Sequence, residues 1–182
     1  KVIWTVWTIS TYVYDKFETT PYMGVISPEE NSGKSQVPRW AGEMVYKPIR
    51  TGSVTESSLL RTIAKNRGTV LYDEADSDLG GKGNSDKKQG IVTIFNNGFK
   101  AGGNALMSVK KKDGDWTPKE FPLFSPKMWI SNSRFTFPKT TRSRSIIIPM
   151  FKNTEEERLR RLKDIKINRK KFAPIIASIK AD

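Results

Sequence analysis

The chain has 182 residues and contains neither cysteine nor histidine, which excludes disulfides, thiolate or imidazole metal sites and Ser-His or Cys-His catalysis. With 36% hydrophobic and 28% charged residues it is long enough to bury a single core, so any chemistry must rest on carboxylates, lysine, arginine and an oxygen-bound metal. The net charge of +13 is uneven, residues 1–97 carrying 12 basic and 11 acidic side chains and residues 98–182 carrying 20 and 8, which points to a polyanionic partner such as nucleic acid.

In chain order, Val2, Ile3, Val6, Trp7 and Ile9 recur at helical spacing, with Trp4 beside them and Tyr12 and Val13 extending the stripe. A helix packed on a sheet is expected, with Trp4 and Trp7 in the core. Apolar residues here alternate with Thr, Ser and Asp, unlike a signal peptide, and no apolar run approaches the ~20 residues of a membrane span. A cytoplasmic protein without a membrane partner is expected. Because the chain opens on Lys rather than Met, it reads as part of something longer.

After Thr19-Thr20-Pro21 breaks the pattern, residues 22–26 (YMGVI) read as a buried strand that runs into PEENSGKS, residues 28–35. This has the form of a P-loop, G-x-x-x-x-G-K-[ST] between strand and helix, with Pro28 in place of the first glycine. Backbone N–H groups at the start of a helix that begins near Gly33, and the helix dipole, suit bound phosphates. The expected binding set is Pro28, Glu29, Asn31, Ser32, Gly33, Lys34, Ser35 and Gln36. Lys34 reaches the β- and γ-phosphates and the Ser35 hydroxyl ligates Mg²⁺. Pro38 is tolerated in the first turn, where N–H groups lack helical partners, and delays or bends the helix.

Residues 47–50 suggest a short strand. Ser53-Val54-Thr55-Glu56 resembles a capping box opening a helix to about Asn66, with Leu59, Leu60 and Ile63 inward and Arg67-Gly68 ending it. TVLYDEAD, residues 69–76, is an apolar run closing on carboxylates, the form of a Walker B strand. Asp73, 39 residues after Lys34, completes the Mg²⁺ shell, and Glu74 polarises an attacking water.

Residues 77–90 are polar and glycine-rich and read as a loop. Gly80, Gly81 and Gly83 form no phosphate loop, since no strand precedes them. A helix over 89–97 ends at Gly98. Residues 104–110 and 116–123 flank Asp113-Gly114, a hairpin signal, and place Lys110, Lys111 and Lys112 at the tip as expected nucleic-acid contacts. A buried strand over 126–131 closes on Ser131-Asn132. Residues 145–150 (SIIIPM) suggest a strand covered on both faces, and Thr154-Glu155-Glu156-Glu157 caps a basic helix. This order gives a three-layer α/β domain with a mainly parallel sheet and nucleotide at the carboxyl ends of its strands. The expected organisation is one domain over 1–182, with an N-terminal helix in 1–20, a P-loop core in 21–150 and a basic helical segment in 151–182.

Residues 15–35 (DKFETTPYMGVISPEENSGKS), 70–76 (VLYDEAD), 95–103 (FNNGFKAGG) and 124–148, the last around Ser143-Arg144-Ser145-Ile146, resemble one family. It is an uncharacterised AAA+-like P-loop ATPase domain of primase- or helicase-type proteins from phages and mobile elements. Ala101 stands where that family's pattern has a second basic residue after Lys100. The resemblance implies ATP and Mg²⁺ as cofactors, hydrolysis coupled to DNA unwinding or remodelling in replication, single-stranded or forked DNA as the partner, and a homo-oligomeric ring. It implies a β-hairpin insertion before the sensor-1 strand, Asn132 at the sensor-1 position, and Arg144, with Arg142 as the alternative, reaching a neighbour's γ-phosphate. Two other readings remain: a nucleotide-dependent DNA-binding switch without translocation, and a small-molecule phosphotransferase, for which the sequence displays neither lid nor acceptor pocket. The Asp73-Glu74-Ala75-Asp76 run does not make a DEAD-box helicase, which needs a histidine-containing motif in a second domain.

Overall fold

The computed structural model describes residues 2–29, 32–52, 54–73, 75–79, 85–111, 114–152, 154, 156, 157 and 174. Its centre is a parallel sheet of five strands: β1 (Tyr22–Ile26), β2 (Ile49–Thr51), β3 (Val70–Tyr72), β6 (Lys127–Ser131) and β7 (Ser145–Pro149). Their order is β2-β3-β6-β1-β7, so β6 lies between the strand before the glycine-lysine loop and the strand before Asp73. The remaining strands, β4 (Asn104–Lys110) and β5 (Trp116–Pro122), form a separate antiparallel hairpin.

Strand alternation divides the core between the sheet's two faces. Tyr22, Ile26, Val70, Tyr72 and Trp129 face α3 (Glu56–Asn66), α4 (Ala75–Leu79) and α5 (Ser85–Asn97), whose Leu59, Leu60, Ile63, Leu79, Ile91 and Phe95 join the same cluster. Met23, Val25, Leu71, Met128 and Ile130 face the other way, toward Trp7 of α1 (Val2–Ser10) and Ala41 of α2 (Val37–Met44). Helices on both faces make this an α/β arrangement compatible with a three-layer fold.

Register explains a glycine inside a central strand. Gly24 pairs with Trp129, and a Cβ at position 24 would run into the indole and into Ile147. With that space left open, Trp129 is fully buried and its Nε1 donates to Ser145 Oγ at 3.0 Å.

Several expectations need correction. The first helix buries Trp7, but Val2, Ile3, Val6 and Ile9 are exposed, so its apolar stripe does not form the contact with the sheet. Helix α3 is capped by Thr55, which accepts from the Ser58 N–H at 3.3 Å, two residues beyond the expected cap; Ser53 lies outside the described residues. Much of the stretch expected as a loop over 77–90 is helical: α4 runs to Leu79, and α5 starts at Ser85 rather than Gln89. Gly90 lets α5 approach α3, since a Cβ there would meet the Glu56 carboxylate. Finally, among the described residues β7 pairs only with β1 and is an edge strand, half-covered instead of enclosed on both faces. A sixth helix, α6 (Lys139–Ser143), leads into it. Thr154 and Glu157 do form the expected reciprocal cap, while most of the following basic segment lies outside the described residues. Among the described residues no helix is long and apolar enough to cross a membrane.

Candidate functional site

The carboxyl ends of β1 and β6 are level. Ile26 pairs with Ser131, and the Ser27 N–H extends the ladder by donating to the Ser131 carbonyl at 3.1 Å. Beyond this edge Ser32 is buried and Gly33 adopts a left-handed conformation (φ 83°), which the missing Cβ permits. A single 3₁₀ turn, Lys34–Gln36, then feeds α2, so Pro38 falls in the helix's first turn, as tolerance of proline requires. The Lys34 ammonium donates to Asn132 Oδ1. Two residues 98 positions apart in sequence thus meet because β6 is inserted next to β1.

Asp73 emerges from the same edge one strand further on. It is half-buried, and its N–H donates to the Thr51 carbonyl at 2.8 Å, holding the end of β3 against β2. Sequence reasoning left Asp76 without a role of its own. Its Oδ1 lies 2.7 Å from the hydroxyls of both Ser131 and Thr136, and its Oδ2 accepts the backbone N–H of Asn132. This carboxylate ties the first turn after β3 to the end of β6 and fixes the backbone from which Asn132 reaches Lys34. The available signal was a third acid following Asp73 at helical spacing, matched by a cluster of hydroxyls around Asn132.

The other expected residues divide into three groups. Pro28, Glu29, Ser35 and Gln36 lie exposed around the loop, and Glu29 accepts the Lys152 N–H at 2.8 Å, linking the loop to the chain beyond β7. Asn31, Glu74 and Lys112 lie outside the described residues. Arg144 is brought to a different place. It precedes β7, its carbonyl accepts from Tyr22 at the start of β1, and it therefore sits at the amino end of the sheet, away from Lys34. Its guanidinium donates to the Asn96 carbonyl at 2.7 Å and lies 5.1 Å from the Phe99 ring centroid. Arg142 stacks on Phe135 at 5.0 Å, and its Nε is buried without a hydrogen-bond partner among the described residues. Lys110 and Lys111 are exposed at the end of the hairpin, remote in sequence and sheet from the loop edge.

The residues at this edge fit a nucleotide phosphate and Mg²⁺. Among the described residues, chain neighbours aside, nothing stands within 4 Å of where a Cβ would sit on Gly33, so an anion can approach the backbone there. A P-loop Mg²⁺ needs only one or two protein oxygens besides phosphate and water, and the Ser35 hydroxyl and Asp73 carboxylate supply that donor chemistry. No group of three or more acidic metal ligands occurs among the described residues. No model of a known protein family matches the chain, and no curated protein matches it significantly.

Proposed function

We propose that the chain is an AAA+-like P-loop ATPase module that couples Mg²⁺-dependent ATP hydrolysis to unwinding or remodelling of DNA. The observation that carries this reading is the Lys34–Asn132 contact at the carboxyl edge of the sheet, one strand from Asp73. An ammonium has three donors, so Lys34 can hold Asn132 and still meet the β- and γ-phosphates. Mg²⁺ on Ser35 and Asp73 supplies charge neutralisation when bound. Glu74 orients the water and takes its proton as the water oxygen bonds to the γ-phosphorus and the bond to the β-phosphate oxygen breaks. The Asn132 side chain, carried on a backbone that Asp76 holds, positions the γ-phosphate. The basic second half of the chain supports a polyanionic partner, with Lys110, Lys111 and Lys112 as contacts. Arg144, or Arg142, is read as the arginine that completes a neighbouring subunit's site.

The test is ATP turnover by the purified chain with Mg²⁺, with and without single-stranded DNA, across protein concentrations. Activity that DNA stimulates and that rises per mole with concentration is expected. ATP binding without turnover would instead favour the switch, and turnover passed to a small acceptor would favour the phosphotransferase.

A further inference from the structure

The β4–β5 hairpin has two unlike faces. Ala105, Met107, Val109 and Phe121 pack toward the core, as alternation requires. The opposite face presents Leu106, Ser108 and Lys110 from β4, with Trp116 and Pro118 from β5. Trp116 is 67% exposed, so the fold leaves one of its largest apolar side chains in solvent. Register pairs it directly with Lys110, and Lys111 follows at the turn, its N–H bonded to the Asp115 carbonyl at 2.7 Å.

We propose that Trp116, flanked by Lys110 and Lys111, is a base-stacking site for single-stranded nucleic acid. The inference rests on the nucleic-acid reading above and adds the residue that selects a single strand over a duplex. Cross-strand neighbours have Cβ atoms within about 5.5 Å, so a base stacked on the indole has its own phosphate within reach of a lysine. Every base has a π-face, which makes such a contact tolerant of sequence. A duplex cannot use it, because its bases are already stacked on one another. Glu120 does not oppose the strand at the tip: it lies at the hairpin's base, where it accepts from Asn104 Nδ2 at 3.2 Å.

The test is fluorescence anisotropy of a labelled oligo-dT and of a blunt duplex with the whole chain, at several salt concentrations. Trp116→Ala should weaken oligo-dT binding roughly 5- to 150-fold, the range aromatic–base stacking carries, and leave duplex binding unchanged. Its salt slope should equal that of the wild type, because stacking releases no counterions, and Trp116→Phe should recover most of the affinity. Lys110→Ala with Lys111→Ala should instead reduce the slope by about 1.4. Tight, salt-dependent oligo-dT binding that Trp116→Ala leaves intact, or an equal loss on duplex, overturns the stacking site while the nucleic-acid reading stands. Failure of the wild type to bind either DNA at low salt overturns both. Unchanged thermal unfolding of Trp116→Ala separates these outcomes from misfolding.

Discussion

Lys127 is fully buried at the start of β6, and its ammonium is surrounded by the carbonyls of Gly98, Leu123 and Ser125 and the Ser125 hydroxyl at 2.9–3.3 Å. Burial pushes its pKa from 10.5 down to about 7, so between these values the unfolded chain binds a proton that the folded chain releases. Stability should therefore rise with pH from 7 toward 9, which the urea midpoint reads directly, and Lys127→Met should remove that rise. Above pH 10 the trend reverses, because burial raises the pKa of Tyr22, Tyr14 and Tyr12 and the unfolded tyrosines ionise first. Asp76 makes a second prediction. Asp76→Ala frees the Asn132 backbone without touching Lys34, so nucleotide affinity should stay near wild type while turnover falls about tenfold or more. An Asp76→Ala, Asn132→Ala double variant no slower than Asn132→Ala would identify Asp76 as the positioning group, since the two losses should not add.

The strands at the centre of the sheet are the elements most legible in sequence. Residues 22–26 and 70–72 are uniformly apolar runs ending in chemistry-bearing turns, and β1 and β3 occupy those positions. The hairpin was equally clear, because Asp113-Gly114 between two alternating runs specifies a tight reversal. What local pattern cannot express is strand order. SIIIP looks like a central strand, yet among the described residues it has one neighbour, and its isoleucines are only partly covered. The same limit hid the clamp by Asp76, which depends on β6 lying beside β3. Helix α5 was expected to start only at Gln89 because residues 77–90 are polar and glycine-rich, although in the fold Gly90 serves close packing against Glu56. Gly24 offers the corresponding test. Gly24→Ala drives a methyl group into Trp129 and should cost about 1–3 kcal/mol in urea unfolding, whereas an unchanged midpoint would show that the β1–β6 contact is loose.

Across the whole molecule the two proposed activities fall to different places: phosphate chemistry to the carboxyl edge of the sheet, and nucleic-acid contact to a hairpin that precedes β6, the strand leading to Asn132. Coupling between them has a short covalent route, since β5 leads through residues 123–126 into β6. Assembly is tested by mixing. Arg144→Ala and Lys34→Ala should each be inactive alone, and a mixture should regain activity, because one mixed interface keeps an intact loop and an intact arginine. A mixture that stays inactive while both variants assemble would leave Arg144 with the intrachain role seen at Asn96 and Phe99. The most direct measurement of the central claim is ATP binding and Mg²⁺-dependent hydrolysis by Glu74→Gln beside Lys34→Ala. Glu74→Gln should bind ATP as the wild type does and hydrolyse it at least about a hundredfold more slowly, since an amide cannot take the water's proton, while Lys34→Ala should lose both. Normal hydrolysis by Glu74→Gln, or normal ATP binding by Lys34→Ala, would contradict the account.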